Sequence, residues 1–173
     1  ASNNTKNINY SLDGANEKFN YFLGFNKYVT AGISAMNDNN EEDKYKNDGV
    51  VGNFGYKIND NFSLQNSFRY ADTFLEYDTV DKSKADSNST DNIEASNSLK
   101  LIYEKNKFKN TLSYNKLQIE RYVNQNYKST KQNYFGYRDS FNYVGEYNIN
   151  LDNKIVFGVE SEVDASRYNR SSK

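Results

Sequence analysis

Phe62-Ser63-Leu64-Gln65-Asn66-Ser67-Phe68-Arg69-Tyr70 decides the fold class. Phe62, Leu64, Phe68 and Tyr70 share one parity, and Ser63, Gln65, Ser67 and Arg69 share the other. An extended chain turns successive side chains to opposite faces, so the segment reads as a strand with one greasy and one polar side. Wound as a helix, the same residues would scatter around the whole circumference.

The same period runs through seven further segments. Ile8, Tyr10 and Leu12 oppose Asn7, Asn9 and Ser11. Phe19, Tyr21, Leu23 and Phe25 oppose Asn20, Phe22 and Gly24. Between about Asp48 and Ile58, Val50, Phe54, Tyr56 and Ile58 oppose Asn53 and Lys57. Ile93, Ala95, Leu99, Leu101 and Tyr103 oppose Glu94, Ser96, Ser98 and Lys100. Phe108, Leu112 and Tyr114 oppose Lys109, Thr111 and Ser113. After Tyr114 the apolar parity shifts to Leu117 and Ile119, which suggests a bulge or emergence from a membrane. Tyr137, Phe141, Tyr143, Tyr147 and Ile149 oppose Arg138, Ser140, Asn142 and Glu146, and lastly Ile155, Phe157 and Val159 oppose Lys154, Gly158 and Glu160.

The connections alternate in length. Short turns fall at residues 13–17, 59–61, 104–107 and 150–153, and long polar loops at roughly 30–47, 79–91 and 123–133. Antiparallel hairpins crossing an outer membrane give this rhythm, with short periplasmic turns and longer extracellular loops. On that reading the first strand descends to the periplasm and the eighth ascends. Tyr28, Tyr56, Phe62, Tyr103, Phe108, Tyr122 and Tyr147 stand near strand ends, where interfacial aromatic girdles belong.

Composition agrees. The 173 residues are 36% hydrophobic, with 16 Tyr and 11 Phe but no Trp, and the mean hydropathy is −1.00. That leaves little for a water-soluble core, and no run reaches the roughly 20 apolar residues of a spanning helix. Barrel strands escape this test because only alternate residues meet lipid. A formal net charge of −1 with interspersed signs argues against nucleic acid as a partner. The expected fold is therefore all-β, an up-and-down antiparallel transmembrane β-barrel segment of about eight long strands in the bacterial cell outer membrane, in contact with its lipid. A complete small eight-stranded barrel with a structural or adhesive role, and a soluble ligand-binding β-sandwich, are the alternatives. The tail from Ser166 to Lys173 reads as the start of another external loop, which favours a longer barrel.

With no His and no Cys, the usual nucleophile–base pairs and most transition-metal sites are excluded, and the chain does not read as an enzyme. Carboxylates concentrate in the loops. Asp38, Asp43, Asp48, Asp72 and Asp78 are the candidate calcium ligands, beside Glu41, Glu42 and Glu76, although acidic loops are commonly just solvated. Tyr45, Tyr77, Tyr127 and Tyr134 are candidates to stack on a planar substrate, with interface anchoring as the alternative. Arg69 and Arg138 fit a charge ladder with carboxylates such as Glu94 and Glu146.

Phe19-Asn20-Tyr21-Phe22-Leu23-Gly24-Phe25, then Gly32-Ile33-Ser34-Ala35, then an acidic, Asn-rich loop ending in Tyr45-Lys46-Asn47-Asp48, resembles the early barrel of TonB-dependent receptors of the cobalamin-transporter type. Asn59-Asp60-Asn61-Phe62-Ser63-Leu64 with Phe68-Arg69-Tyr70-Ala71-Asp72, and the later Phe157-Gly158-Val159-Glu160, look similar to the hairpins that follow in that family. The likeness runs from Asn7 to Glu162. It implies that residues 1–173 are part of one receptor barrel domain of about 22 strands, whose plug domain is not in this chain. It also implies a scarce nutrient ligand such as cobalamin or a siderophore, energy from the TonB complex through the plug, and calcium in the early external loops.

Overall fold

A computed structural model describes residues 4–33, 42–78, 88–125 and 130–172. The described residues form eight strands: β1 (Lys6–Ala15), β2 (Phe19–Thr30), β3 (Tyr45–Lys57), β4 (Phe62–Tyr77), β5 (Asn88–Lys105), β6 (Phe108–Gln125), β7 (Thr130–Asn148) and β8 (Lys154–Ser172). They lie in one sheet in chain order, each antiparallel to the next. No helix occurs among the described residues.

Side-chain parity and register together sort the sheet into two faces. In the pairing direction, Phe19, Tyr56, Leu64, Leu101, Leu112, Tyr143 and Val159 form one continuous row. The neighbouring row on the opposite face reads Asn20, Gly55, Gln65, Lys100, Ser113, Asn142 and Glu160. The alternation legible strand by strand therefore stays in phase from β2 to β8 along these rows, where a one-residue slip would mix the faces. Among the described residues nothing covers the apolar side. Ala71 is the only buried hydrophobic residue among those described, whereas Leu112 is 50% and Phe141 58% exposed.

Asparagine shapes three of the four short turns. The Oδ1 of Asn16 accepts from the N–H of Lys18 (2.9 Å) and of Phe19 (2.8 Å). Asn59 Oδ1 does the same for Asn61 and Phe62, and Asn150 Oδ1 for Asp152 and Asn153. A side-chain amide thus stands in for the backbone acceptor that a tight turn lacks. The fourth turn instead places Asn106 at φ 55°, a left-handed conformation that Asn tolerates better than most residues.

Several expectations need correction. All eight strands belong to one sheet, where a sandwich requires two packed sheets. That sheet is not closed, since β1 and β8 do not pair as a complete small barrel requires. The chain from Ser166 to Ser172 continues β8 rather than opening a loop, with Tyr168 opposite Tyr134. Strands also reach into the expected loops, at 30, 45–47, 88–91, 123–125 and 130–133, because cross-strand pairing holds polar residues as readily as apolar ones. No bulge follows Tyr114. Register runs unbroken from Tyr114 to Glu120 on both sides, so Leu117 and Ile119 truly lie on the polar face.

Candidate functional site

The polar face is the candidate site, because hydrogen bonds and ion pairs order it across several strands. Asn26 Nδ2 donates to Asn47 Oδ1 (2.8 Å), and Asn47 Nδ2 to Thr73 Oγ1 (2.9 Å). Further along, Ser98 Oγ donates to Asn115 Oδ1 (2.7 Å), and Asn115 Nδ2 to Ser140 Oγ (3.2 Å). The Asn26–Asn47 link runs diagonally between adjacent strands, and the other three join direct register partners. Such ladders fix side chains that would otherwise roam a solvated surface.

Charges pair on the same face. Arg138 grips Asp164 through two bonds, Nε to Oδ1 and Nη2 to Oδ2, both 2.7 Å, with Glu162 at 3.4 Å. Arg69 lies 3.8 Å from Glu94, and Lys154 2.8 Å from Glu146. The expected ladder is present, with Asp164 and Glu162 rather than Glu146 as the partners of Arg138. The cause is register: Arg138 faces Asp164 directly, while Glu146 lies opposite Val156 on β8, near the last turn.

The apolar face carries the aromatics expected at the turn end. Phe62 meets Tyr103 and Phe108 meets Tyr147, each with ring centroids 4.8 Å apart, and Tyr56 lies on the same side beside Phe19. Tyr122 shares that face at the loop end, edge-on to Phe135. Tyr28 does not. It lies on the polar face in register with Asn47, edge-on to Tyr45.

Of the substrate candidates, Tyr45, Tyr77 and Tyr134 all occupy strand positions at the loop end of the polar face, and Tyr127 lies outside the described residues. Tyr45 and Tyr77 are at the ends of neighbouring strands, while Tyr134 is on β7, so the fold gives them a common face without bringing all three together. Asp48 and Asp72 are register partners, but on the apolar face, and Lys27 Nζ lies 3.4 Å from Asp48 Oδ2. Asp43 and Asp78 flank β3 and β4, with the Asp43 carbonyl against Gly32, and Asp38 lies outside the described residues. Among the described residues no three carboxylates converge on a cation site.

One feature escaped the sequence reading, and another was seen there but read as a bulge or emergence from a membrane. Tyr168 meets Tyr134 with tilted rings and centroids 4.8 Å apart, a pairing visible only once β8 is known to continue that far. Leu117 and Ile119 join them as an apolar island on the polar face; the parity shift after Tyr114 was its signal. No protein-family model matches this sequence, and no curated protein does.

Proposed function

We propose that this chain is wall from an outer-membrane β-barrel of the TonB-dependent receptor kind, a non-catalytic element for nutrient uptake. The observation that carries the reading is a single meandering sheet whose apolar face is uncovered from β1 to β8 while its polar face is laced by hydrogen bonds. In water such a surface would far exceed the few hundred Å² of contiguous apolar patch that soluble proteins tolerate. Lipid on that side removes the penalty, and an aqueous interior suits the ladder of Asn, Ser, Arg and carboxylates.

The edges support the same reading. Backbone groups along the outer sides of β1 and β8 have no strand partner in this sheet, and in hydrocarbon each would cost several kcal/mol, on the order expected for an unsatisfied peptide group. Further strands of a larger barrel would satisfy them. The choice of receptor family rests on the sequence likeness between Asn7 and Glu162.

Fractionation of cells making the full-length protein tests this. The protein should stay with the outer membrane through alkaline extraction, and nutrient uptake should stop when TonB is removed. Recovery in the aqueous phase without detergent would overturn the membrane reading. An embedded protein whose uptake ignores TonB would overturn the receptor assignment alone.

A further inference from the structure

We infer that the loop-side end of the polar face on β6, β7 and β8 is a binding wall for a small anionic ligand that carries a flat ring. This inference rests on the membrane-barrel reading above and adds the class of ligand.

The ring-binding part is aromatic and already assembled. The Tyr134 and Tyr168 rings meet across the β7–β8 pair, tilted by 33° with centroids 4.8 Å apart, and remain 40% and 51% exposed. One rung closer to the turns, Ile119, Gly136 and Ser166 form the neighbouring row. Gly136 is the unusual member. A Cβ built there meets nothing within 4 Å, so the missing side chain leaves open space rather than relieving a clash. That space belongs to a depression of about 460 Å³ bordered by Leu117, Ile119, Arg138 and Asp164. Successive rows on one face are about 7 Å apart, the scale of a single ring.

Charge defines the rest. Arg138, beneath the depression, is taken up by Asp164 and Glu162. Arg121, in the same row as Tyr134 and Tyr168, has only Asn92 Oδ1 at 3.4 Å as a polar contact among the described residues. Arg170 extends the same face one rung beyond Tyr168. Two guanidiniums without a carboxylate partner among the described residues, beside exposed rings and an apolar floor, are complementary to a planar group bearing negative charge. A neutral sugar would leave both cations unmatched, and a cation would be repelled.

Position is consistent with access. A strand of 19 residues, such as β8, is roughly 60 Å long, or about 45–50 Å tall at a usual barrel tilt, against an apolar band of about 25 Å. The upper rungs of β6 to β8 therefore stand clear of the bilayer. Lys116, Gln118 and Glu120 on the other face of β6 agree, because lipid would not accept that run.

The test uses full-length protein in detergent with 2-naphthoate as the anionic probe and 2-naphthalenemethanol as its neutral counterpart, binding being followed by calorimetry. The anion should bind and the alcohol should bind at least about tenfold more weakly. Gly136→Leu, which fills open space, should abolish anion binding while thermal stability is retained. Arg121→Gln and Tyr168→Ala should each weaken it about tenfold. Equal binding of anion and alcohol, or anion binding unchanged by Gly136→Leu, would overturn the inference. So would loss of stability in Gly136→Leu, since another part of the protein would then occupy the depression. None of these outcomes bears on membrane extraction, so the two readings fail separately.

Discussion

At the scale of single residues, much of the sheet depends on asparagine amides and on glycines lying beneath rings. Asn59 Oδ1 caps two N–H groups at one turn, so Asn59→Ala should lower unfolding free energy by about 0.5–1.5 kcal/mol in urea titrations. Asn59→Asp, which keeps an acceptor, should lose much less. At Asn106 the left-handed backbone makes the opposite case: Gly should be neutral or stabilising, whereas Val should cost roughly 1–2 kcal/mol by the same titration. Gly52 lies under the Phe68 ring, and a Cβ there would enter the space of Phe68 Cε1 and Cζ. Gly52→Val should therefore force the ring aside and cost about 1–3 kcal/mol, whereas Gly136→Ala, in open space, should be tolerated. The Asn-rich turns were legible in sequence because they interrupt alternation. The ring over Gly52 was not, since it depends on which residue of β4 faces it.

At the scale of strands, parity and register make a sharp contrast within one hairpin. Phe68 and Leu99 lie on the apolar face of β4 and β5, while Ser67 and Ser98 are direct partners on the polar face. On the proposed membrane reading, Arg at Phe68 or Leu99 should destabilise the protein by about 2–4 kcal/mol, the cost near a bilayer midplane, and Arg at Ser67 or Ser98 should have little effect. Equal tolerance at both pairs, measured by the same unfolding titration, would contradict lipid contact. The interiors of these strands were legible because alternation is a local signal. Their loop-side ends were not: Asn88–Asp91 and Thr130–Asn133 are polar on both parities, and only pairing with Tyr122–Gln125 and with their other neighbours keeps them extended. The outer half of β6 is the instructive case. Its reversed polarity was visible, but a bulge and an uninterrupted strand leave the same trace in sequence, and only register with β5 and β7 separates them.

At the scale of the whole sheet, strand length grows from 10 residues in β1 to 19 in β8, so the sheet is taller along its later half. The candidate site followed this unevenness. Tyr134 was within reach of sequence reasoning, whereas Tyr168, Arg121 and Gly136 acquire meaning only as its neighbours across β6, β7 and β8. The order of the strands has one more consequence, for assembly. Each of the eight described strands pairs only with those before and after it in the chain, so none of these pairings has to wait for a distant segment to arrive. The sheet can zip up hairpin by hairpin, each newly formed edge templating the next strand. A chain stalled partway would then present an edge already shaped to accept its successor, or a stranger.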